Sequence, residues 1–440
     1  MIRKLEKIVF YFLIFAVPFQ VRFIWGRWVQ PFNEWTAGFI YGTDILVILL
    51  FLLWLLRSHP KLSLRFKAGD PSLWLFLFFA ISALSIIKSG ILPLSFYILL
   101  KLAEFIGFYF YLNHSLGSTF QLKRVVSVVV ASGFFQAAIG IFQYATQSSL
   151  GFKILGESFL TTETPGAAVF VVDSVKYLRV YGTTPHPNVL AAWLFLALFA
   201  FYFWYFYYNR KGLNAKSMGV YGVILVAFFF TFSRVIIGLW LLGVLIRLLI
   251  LFLKNDFRGI LHKVKRKLIF ISVITVIISG AFVISFWPQV QSRIHVSLDE
   301  QAVTHRVFYN NVAGETAIES PLLGVGIGQF VPHMMSKLKY LPAYVYQPVH
   351  NIYLLVASET GFIGLAAFGA FLFTLFRKFF RHPRFGKLHH YSFFILAASF
   401  LVMGIFDHFL WTLQQGSLVF WLMMSLINLG PDIRGVDSQI

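Results

Sequence analysis

The chain has 440 residues, of which 58% are hydrophobic and only 12% carry a charged side chain. Soluble proteins carry roughly 25% charged residues, which form a water-facing shell, so this composition excludes a soluble enzyme and a disordered chain. The absence of cysteine excludes a disulfide framework, a thiol nucleophile and a thiolate metal site. The composition predicts an all-α polytopic membrane protein that forms a single integral membrane domain over residues 1–440.

Apolar segments follow one another along the whole sequence. A helix needs about 20 apolar residues to cross the hydrocarbon core of a bilayer, and the segments predict about 12 transmembrane helices. Their positions are 7–25, 39–56, 72–87, 91–112, 125–145, 188–208, 217–233, 235–253, 268–287, 350–376, 391–409 and 412–429. The first segment lacks a small-residue cleavage site, so we expect it to remain as a membrane helix.

The formal net charge of +20 suggests either a nucleic-acid partner or a membrane orientation signal. If the connections between spans alternate between the two sides, 24 of the 37 Lys and Arg residues lie on the side of the N-terminus, 11 lie on the other side and two lie within spans. By the positive-inside rule, this predicts that both termini are cytoplasmic. The basic clusters follow spans directly and lack aromatic interleaving, which favours anionic lipid over nucleic acid.

This topology leaves two sizeable external loops, at 146–187 and 288–349. In the larger loop, apolar residues at near-helical spacing in 302–319 predict an amphipathic helix on the membrane surface. We expect this loop to pack over the active site. Trp25, Trp28 and Trp35 lie near predicted span ends, where aromatic side chains usually form a belt at the lipid headgroups.

Two external segments carry residues suited to binding phosphate. TTPHPNVLAAW (183–193) opens the sixth span, and its His186 is either a simple helix cap or part of an anion site at the helix N-terminus. TFSR (231–234) places Arg234 at the outer boundary between two spans. The Arg234 side chain either snorkels to the interface or makes bidentate bonds to phosphate.

The larger loop adds His305, Arg306 and the segment ESPLLGVGIGQF (319–330), which starts at Glu319. Its alternating glycines do not form a dinucleotide site, since no strand precedes them. They are better suited to a loop that packs tightly or re-enters the protein at membrane depth. Arg306 faces either lipid headgroups or a buried diphosphate.

The segment PVHNIYLLVASETGFIGL (348–365) opens the tenth span with His350 at its aqueous end, where a neutral imidazole is able to take a proton from a hydroxyl. Glu359 lies about half a turn out of phase with His350, so we expect it to pair within the bundle. Ala357 and Gly361 form a small pair that favours close helix contact. In the fourth span, Lys101 and a glutamate three residues later predict an ion pair.

The sequence lacks an HExxH motif, an external DxD motif, a P-loop and a GxSxG elbow. We therefore expect neither a metal nor a cofactor. External arginines and histidines without a metal cage suit binding of a phosphorylated lipid and activation of a hydroxyl.

The set TPHPNVLA, TFSR, PLLGVGIGQF and HNIYLLVASETGFIGL, in this order and with common external placement, resembles the O-antigen ligase and O-antigen polymerase superfamily of bacterial envelope glycan enzymes. The resemblance covers about residues 180–365, and the first 120 residues match only in general hydropathy. Ligases, polymerases and protein O-glycosyltransferases share these motifs.

The resemblance implies a metal-independent glycosyltransferase that uses an undecaprenyl-diphosphate-linked glycan at the outer face of the plasma membrane. Arg234 and Arg306 match the arginines proposed to bind the donor diphosphate, and His350 matches the histidine proposed to activate the acceptor hydroxyl. The acceptor is a glycan, a glycolipid or a protein. His186, His305 and Glu319 stay secondary candidates.

A membrane transporter or flippase for a lipid-linked sugar or small anion is the alternative. Transporters place polar groups near the bilayer midplane on broken helices and often contain internal repeats. The sequence shows no convincing repeat and its candidate residues cluster at the outer boundary, so the pattern favours the enzyme.

Overall fold

The computed structural model describes residues 1–58, 69–209, 212, 214–253, 262–294, 301–383 and 385–430. Several members of the basic clusters that set the predicted orientation lie outside the described residues, namely Lys61, Arg65, Lys67, Arg210, Lys211, Lys254, Arg258 and Arg384. Residues 295–300 of the predicted large loop also lie outside them.

The described chain is mainly helical, as predicted. Its helices in chain order are α1 (Ile2–Ala16), α2 (Gly42–Ser58), α3 (Pro71–Ser85), α4 (Leu92–Ser115), α5 (Leu122–Thr146), α6 (Pro187–Phe203), α7 (Ala215–Phe230), α8 (Arg234–Leu253), α9 (His262–Ser285), α10 (Trp287–Ile294), α11 (Gln301–Glu319), α12 (Phe330–Lys337), α13 (Ile352–Arg381), α14 (Leu388–Phe406), α15 (Phe409–Thr412) and α16 (Gln414–Leu429). A π-helical turn at Trp204–Tyr208 extends α6.

Two short antiparallel hairpins interrupt the helices. The first pairs β1 (Arg22–Arg27) with β2 (Ala37–Tyr41), and the second pairs β3 (Val169–Val172) with β4 (Val175–Leu178). The first hairpin occupies the end of the first predicted span, 7–25, so the helix there is shorter than predicted. Pro18 explains this, because a helix usually ends at or before the residue that precedes a proline, and α1 ends at Ala16.

Seven helices of the described chain are long and apolar enough to cross a membrane, which makes this a multi-pass membrane protein. They are Pro71–Lys88, Leu92–Ser115, Leu122–Thr146, Pro187–Tyr208, Arg266–Ser285, Ile352–Arg381 and His389–Phe406. The other five predicted spans also coincide with helices, namely α1, α2, α7, α8 and α16. The total of about 12 crossings stays a prediction.

Helix α6 forms the centre of the bundle. It is apolar on all sides, and nearly all of its residues are buried; a helix of this composition is stable only when other helices surround it. Helices α5 and α7 pack against α6, while α3 lies along α13 and α4 lies along α16. The predicted ion pair in α4 is confirmed, since Lys101 Nζ lies 2.7 Å from a carboxylate oxygen of Glu104 and 2.7 Å from one of Asp44.

Helix α13 is broken at Gly361, whose φ of 72° is not helical. The break contacts the glycine-rich loop, because Phe362 N–H donates to Pro321 O at 2.8 Å and Gly326 N–H donates to Glu359 O at 3.0 Å. A Cβ on Gly361 would lie 2.2 Å from Leu322 O, so only glycine fits there. The close contact predicted at Gly361 is therefore with the glycine-rich loop and not with another helix. The tight packing predicted for the glycine segment is confirmed.

The predicted amphipathic helix in the large loop is confirmed as α11. Its buried face consists of Tyr309, Val312, Ala313, Thr316 and Ala317, which recur at helical spacing. This face packs against α13, the helix that begins just after His350. The contact places the N-terminal turn of α11 beside the start of α13. Its location at a membrane surface stays a prediction.

The predicted topology gives opposite sides to Asn209, which follows the sixth span, and Gly314, which lies in α11. Reporter fusions placed at these two positions should therefore report a cytoplasmic and an external location, respectively, because the basic residues concentrate on the side of Asn209. The measurement is the ratio of a cytoplasm-active to an externally active reporter. Equal signals at both positions would contradict the topology.

Candidate functional site

A polar cavity of about 430 Å³ lies where the N-terminal ends of α6, α8, α11 and α13 meet the C-terminal end of α14. We call it the arginine cavity after four arginines that line it, Arg179, Arg234, Arg293 and Arg306. It contains the residues predicted from four separate sequence segments, namely His186, Arg234, His305, Arg306 and His350. Residues more than 160 positions apart in the chain thus share one cavity.

Glu319 is the one candidate that does not line this cavity. It lies at the C-terminal end of α11 with an exposed side chain, and its carboxylate oxygen is 2.6 Å from Lys337 Nζ. The hydrogen bond from Lys337 lowers the pKa of this carboxyl below its usual value. This position suits a surface ion pair.

Arg234 owes its position to a tight turn between α7 and α8. The turn passes through Phe232, whose φ of 46° lies in the left-handed region that non-glycine residues rarely adopt. The buried Arg179 closes the turn, because its Nε donates to Thr231 O at 2.7 Å. The turn therefore starts α8 with Arg234 in the wall of the cavity.

Asn188 joins this turn to the other side of the cavity. Its Oδ1 accepts hydrogen bonds from Arg179 Nη2 at 2.8 Å and from Ser233 Oγ at 3.1 Å. Its Nδ2 donates to Asp407 Oδ2 at 2.7 Å. The amide thus uses its acceptor toward the arginine turn and its donor toward the carboxylate, and no reversed orientation satisfies both sides.

Asp407 lies among histidines at the end of α14. One ligand atom from each of His350, Asp407 and His408 lies within 4.8 Å of the other two. Burial alone would raise the pKa of Asp407, but the neighbouring histidines and the Asn188 hydrogen bond lower it to about 2. Asp407 is therefore ionised at neutral pH.

Three histidines of the cavity, His186, His350 and His408, are neutral at pH 7. Burial lowers the pKa of His186 to about 4 and that of His408 to about 3. Burial also lowers the pKa of His350 below its usual value, although the Asp407 carboxylate acts in the opposite direction. His350 Nδ1 is buried and has no hydrogen-bond partner within the described parts of the chain. A neutral imidazole beside a carboxylate is suited to accept a proton.

His186 caps helix α6. Its Nδ1 accepts a hydrogen bond from Asn188 N–H at 3.2 Å, so the simple helix-cap interpretation is confirmed. The alternative, an anion held by the free N–H groups of this helix start, stays a prediction.

Among the described residues that line the cavity, arginines outnumber acidic residues. The four arginines face two acidic residues, Asp407 and Glu34, and Glu34 is itself paired with Arg22. Burial and the nearby Arg293 and Arg234 lower the pKa of Arg179 to about 9, which still leaves it charged at pH 7. Clustered guanidinium groups suit a ligand with two or more negative charges.

The group His350, Asp407 and His408 also has the residue types of a metal site. Two of its members already have hydrogen bonds, since Asp407 accepts from Asn188 and His408 Nδ1 lies 2.6 Å from Thr412 Oγ1. These hydrogen bonds favour a proton-transfer role over a metal role.

Several cavity residues were not predicted from the sequence, namely Arg179, Asn188, Arg293, Asp407 and His408. Asn188 stands two residues after His186, and the pair Asp407-His408 ends a predicted span. A polar pair at the predicted external end of an apolar span was a usable signal. Arg179 and Arg293 lie in connections without a recognisable pattern.

The fold and cavity together define a multi-pass membrane protein with an arginine-rich and histidine-rich cavity built from the ends of its helices. The family model described as O-antigen ligase matches residues 219–369, which confirms the predicted resemblance to the O-antigen ligase and polymerase superfamily. The matched region contains Arg234, Arg306 and His350. It supports glycan transfer of the ligase or polymerase type. No curated protein matches the chain.

Replacing Asn188 with Asp should lower the rate of glycan transfer about 10-fold to 100-fold, the equivalent of about 1–3 kcal/mol for a lost buried hydrogen bond. The substitution keeps the acceptor toward Arg179 but sets a carboxylate against Asp407. The measurement is transfer per unit of membrane-inserted protein. Asn214→Asp, at the exposed cap of α7, is the matched control. Unchanged transfer in Asn188→Asp would show that the bridge is dispensable.

Proposed function

We propose that the protein transfers an undecaprenyl-diphosphate-linked glycan to an acceptor hydroxyl at the outer face of the plasma membrane, with both termini cytoplasmic. The observation that carries the proposal is the meeting of four arginines with a neutral His350 and an ionised Asp407 in one cavity. This arrangement supplies a diphosphate site and a proton acceptor next to each other. The acceptor is a glycan, a glycolipid or a protein.

In the proposed reaction, the acceptor oxygen attacks the anomeric carbon while the bond from that carbon to the donor phosphate breaks. The proton of the acceptor hydroxyl passes to His350, and the electron pair of the broken bond stays on the leaving undecaprenyl diphosphate. A direct displacement of this kind inverts the anomeric configuration. A positioned base contributes about 10²–10⁴-fold to such a rate.

Charge develops at two places in this step, and the cavity has a group for each. Arg234 and Arg306 stabilise the negative charge that grows on the leaving diphosphate. The ionised Asp407 stabilises the imidazolium that forms on His350. Asn188 is a positioning residue, because it holds Asp407 in place and fixes the turn that precedes Arg234.

The broken helix α13 is a feature that favours a transporter, since transporters often use broken helices to bind substrate near the midplane. Here the backbone at the break is already hydrogen-bonded. Val325 N–H donates to Ser358 O at 2.9 Å, and Phe362 N–H donates to Pro321 O at 2.8 Å. These groups are occupied by the glycine-rich loop, which favours a structural role for the break.

The test uses purified protein in vesicles, the lipid-linked glycan extracted from a host strain that lacks the gene, and the envelope fraction of the same strain as acceptor. We expect undecaprenyl diphosphate to be released in step with glycan appearing on the acceptor. Movement of intact glycolipid between leaflets without bond cleavage would contradict the proposal and favour the transporter.

The same assay tests whether the reaction depends on a metal ion. We propose that the reaction needs no metal, so chelator-treated protein should keep its activity. Activity that is lost with chelator and restored by a divalent cation would instead assign His350, Asp407 and His408 as ligands.

A further inference from the structure

A second cavity of about 110 Å³ adjoins the arginine cavity. The two cavities share three lining residues, Glu34, Trp35 and Leu413. We call it the tryptophan cavity because Trp35, Trp411 and Trp421 line it. The residues predicted as catalytic or diphosphate-binding line the first cavity but are absent from the described lining of the second.

The walls of the tryptophan cavity combine aromatic rings with polar groups. Its aromatic residues include Trp35, Tyr41, Tyr97 and Trp411, and its polar residues include Arg22, Lys101 and Gln414. Binding sites for small organic ligands typically have such a mixture of rings and a few fixed polar groups. A sugar ring presents apolar C–H faces and hydroxyl edges, so rings and hydrogen-bonding groups match it together.

One polar group in this cavity lacks a partner. Gln414 is buried, and its Nε2 donates to Glu104 Oε1 at 3.2 Å. Its Oε1 accepts no hydrogen bond within the described segments. A buried carbonyl oxygen left unsatisfied is costly. A ligand hydroxyl in the cavity would satisfy it.

The ring contacts between the two cavities show from which side of the site the tryptophan cavity is reached. The Trp35 ring packs edge-on against the His408 ring, with centroids 4.9 Å apart, and the His408 ring packs in the same way against that of His350 at 4.9 Å. Arg179 and the turn before Arg234 lie beyond Asn188, on the other side of Asp407. The tryptophan cavity is therefore reached from the histidine side of the site.

In a direct displacement, the attacking hydroxyl approaches the anomeric carbon opposite the leaving group. Arg179 and Arg234 mark the side of the leaving diphosphate, and His350 marks the side of the attacking hydroxyl. We propose that the tryptophan cavity is the subsite for a sugar residue of the acceptor, with Trp35 as its inner wall. This proposal rests on the proposed function, and it favours a glycan or glycolipid acceptor over a protein acceptor.

The test compares Trp35→Ala and Trp35→Phe with the matched control Trp25→Ala, which removes an exposed ring from the same hairpin outside both cavities. Transfer is measured in vesicles over a range of acceptor concentrations and, separately, of lipid-linked donor. The acceptor probe is the envelope fraction of the deletion strain. Binding is measured by saturation-transfer NMR with the lipid-free oligosaccharide that mild acid releases from that fraction.

Trp35→Ala should raise the acceptor KM about 10-fold or more, equivalent to the loss of about 1.4 kcal/mol, and should weaken oligosaccharide binding in parallel. The donor KM should change less than about 2-fold, below the roughly 10-fold expected for the acceptor. Trp35→Phe should restore most of the acceptor affinity, and Trp25→Ala should resemble the unmodified protein.

Unchanged acceptor KM and unchanged oligosaccharide binding in Trp35→Ala would overturn the subsite. An acceptor that proves to be a peptide hydroxyl would also overturn it. If the unmodified protein binds the oligosaccharide through Trp35 but transfers nothing, the proposed function fails and the sugar site stands. If it transfers glycan but binds no free oligosaccharide and shows no Trp35 effect, the function stands and the subsite fails.

Discussion

Replacing His350 with Gln is expected to lower the rate of glycan transfer about 10²–10⁴-fold, the usual contribution of a positioned general base. Glutamine keeps much of the size and polarity of the side chain but does not take up a proton at neutral pH. Binding of the lipid-linked donor should change little, because the diphosphate contacts belong to the arginines. The measurements are turnover in vesicles and retention of labelled donor by the purified variant.

The pH dependence gives a second measure of the same role. Since the pKa of His350 is lowered, the imidazole should stay neutral, and the protein active, at pH values below 6.5; activity should fall only as the pH drops through the lowered pKa. Asp407 raises the pKa of His350. Asp407→Asn should therefore shift the acid limb to lower pH while it lowers turnover, because the imidazolium loses its stabilising charge.

His114→Gln is the matched control, since His114 is exposed near the end of α4 and does not line the cavity. Intact turnover in His350→Gln with weakened donor binding would move His350 into the diphosphate site. His186 would then become the better base, although its role as cap of α6 and its pKa of about 4 make it a weak one.

The membrane character and most helix positions could be predicted because hydropathy is a local property. A run of about 20 apolar residues predicts a spanning helix without knowledge of its neighbours. The first hairpin and the break at Gly361 were not predicted. The segment around Gly361 reads as a continuous apolar helix with small residues, and only the backbone of Leu322 shows why the helix is broken there.

The candidate site could be predicted in part for a related reason. His186, Arg234, Arg306 and His350 each stand at the predicted external end of an apolar segment or in a predicted external loop, so charge and position mark them. The bridge from Asn188 to Asp407 links residues 219 positions apart. Such a contact depends on how α6 and α14 pack, and no local pattern of either segment contains it.

Trp35 is another residue whose position in the site could not be predicted from the local sequence. Near a span end, a tryptophan is usually part of the aromatic belt, and the sequence alone favours that interpretation. The structure places Trp35 in the walls of both cavities and against His408. Its surroundings come from α12, which packs against the turn at residues 34–36, and from His408 just before α15. Composition near the span end therefore does not distinguish a belt residue from a cavity wall.

Replacing Arg234 or Arg306 with Ala should lower transfer about 10²–10³-fold, the loss typical for one group that stabilises a developing oxyanion. The loss should fall mainly on turnover, since the negative charge on the diphosphate grows as the bond to the sugar breaks. Arg234→Lys and Arg306→Lys should also be poor, because an ammonium group does not reproduce the planar fork that binds two phosphate oxygens.

The measurements are turnover, donor KM and the amount of protein in the membrane for each variant. Arg124→Ala provides the matched control, since Arg124 is exposed in the first turn of α5 and does not line the cavity. The variants at Arg234 and Arg306 should reach the membrane at nearly normal levels, because neither side chain belongs to the apolar core. Full activity in both lysine variants would mean that positive charge alone is sufficient and that bidentate recognition of the diphosphate is wrong.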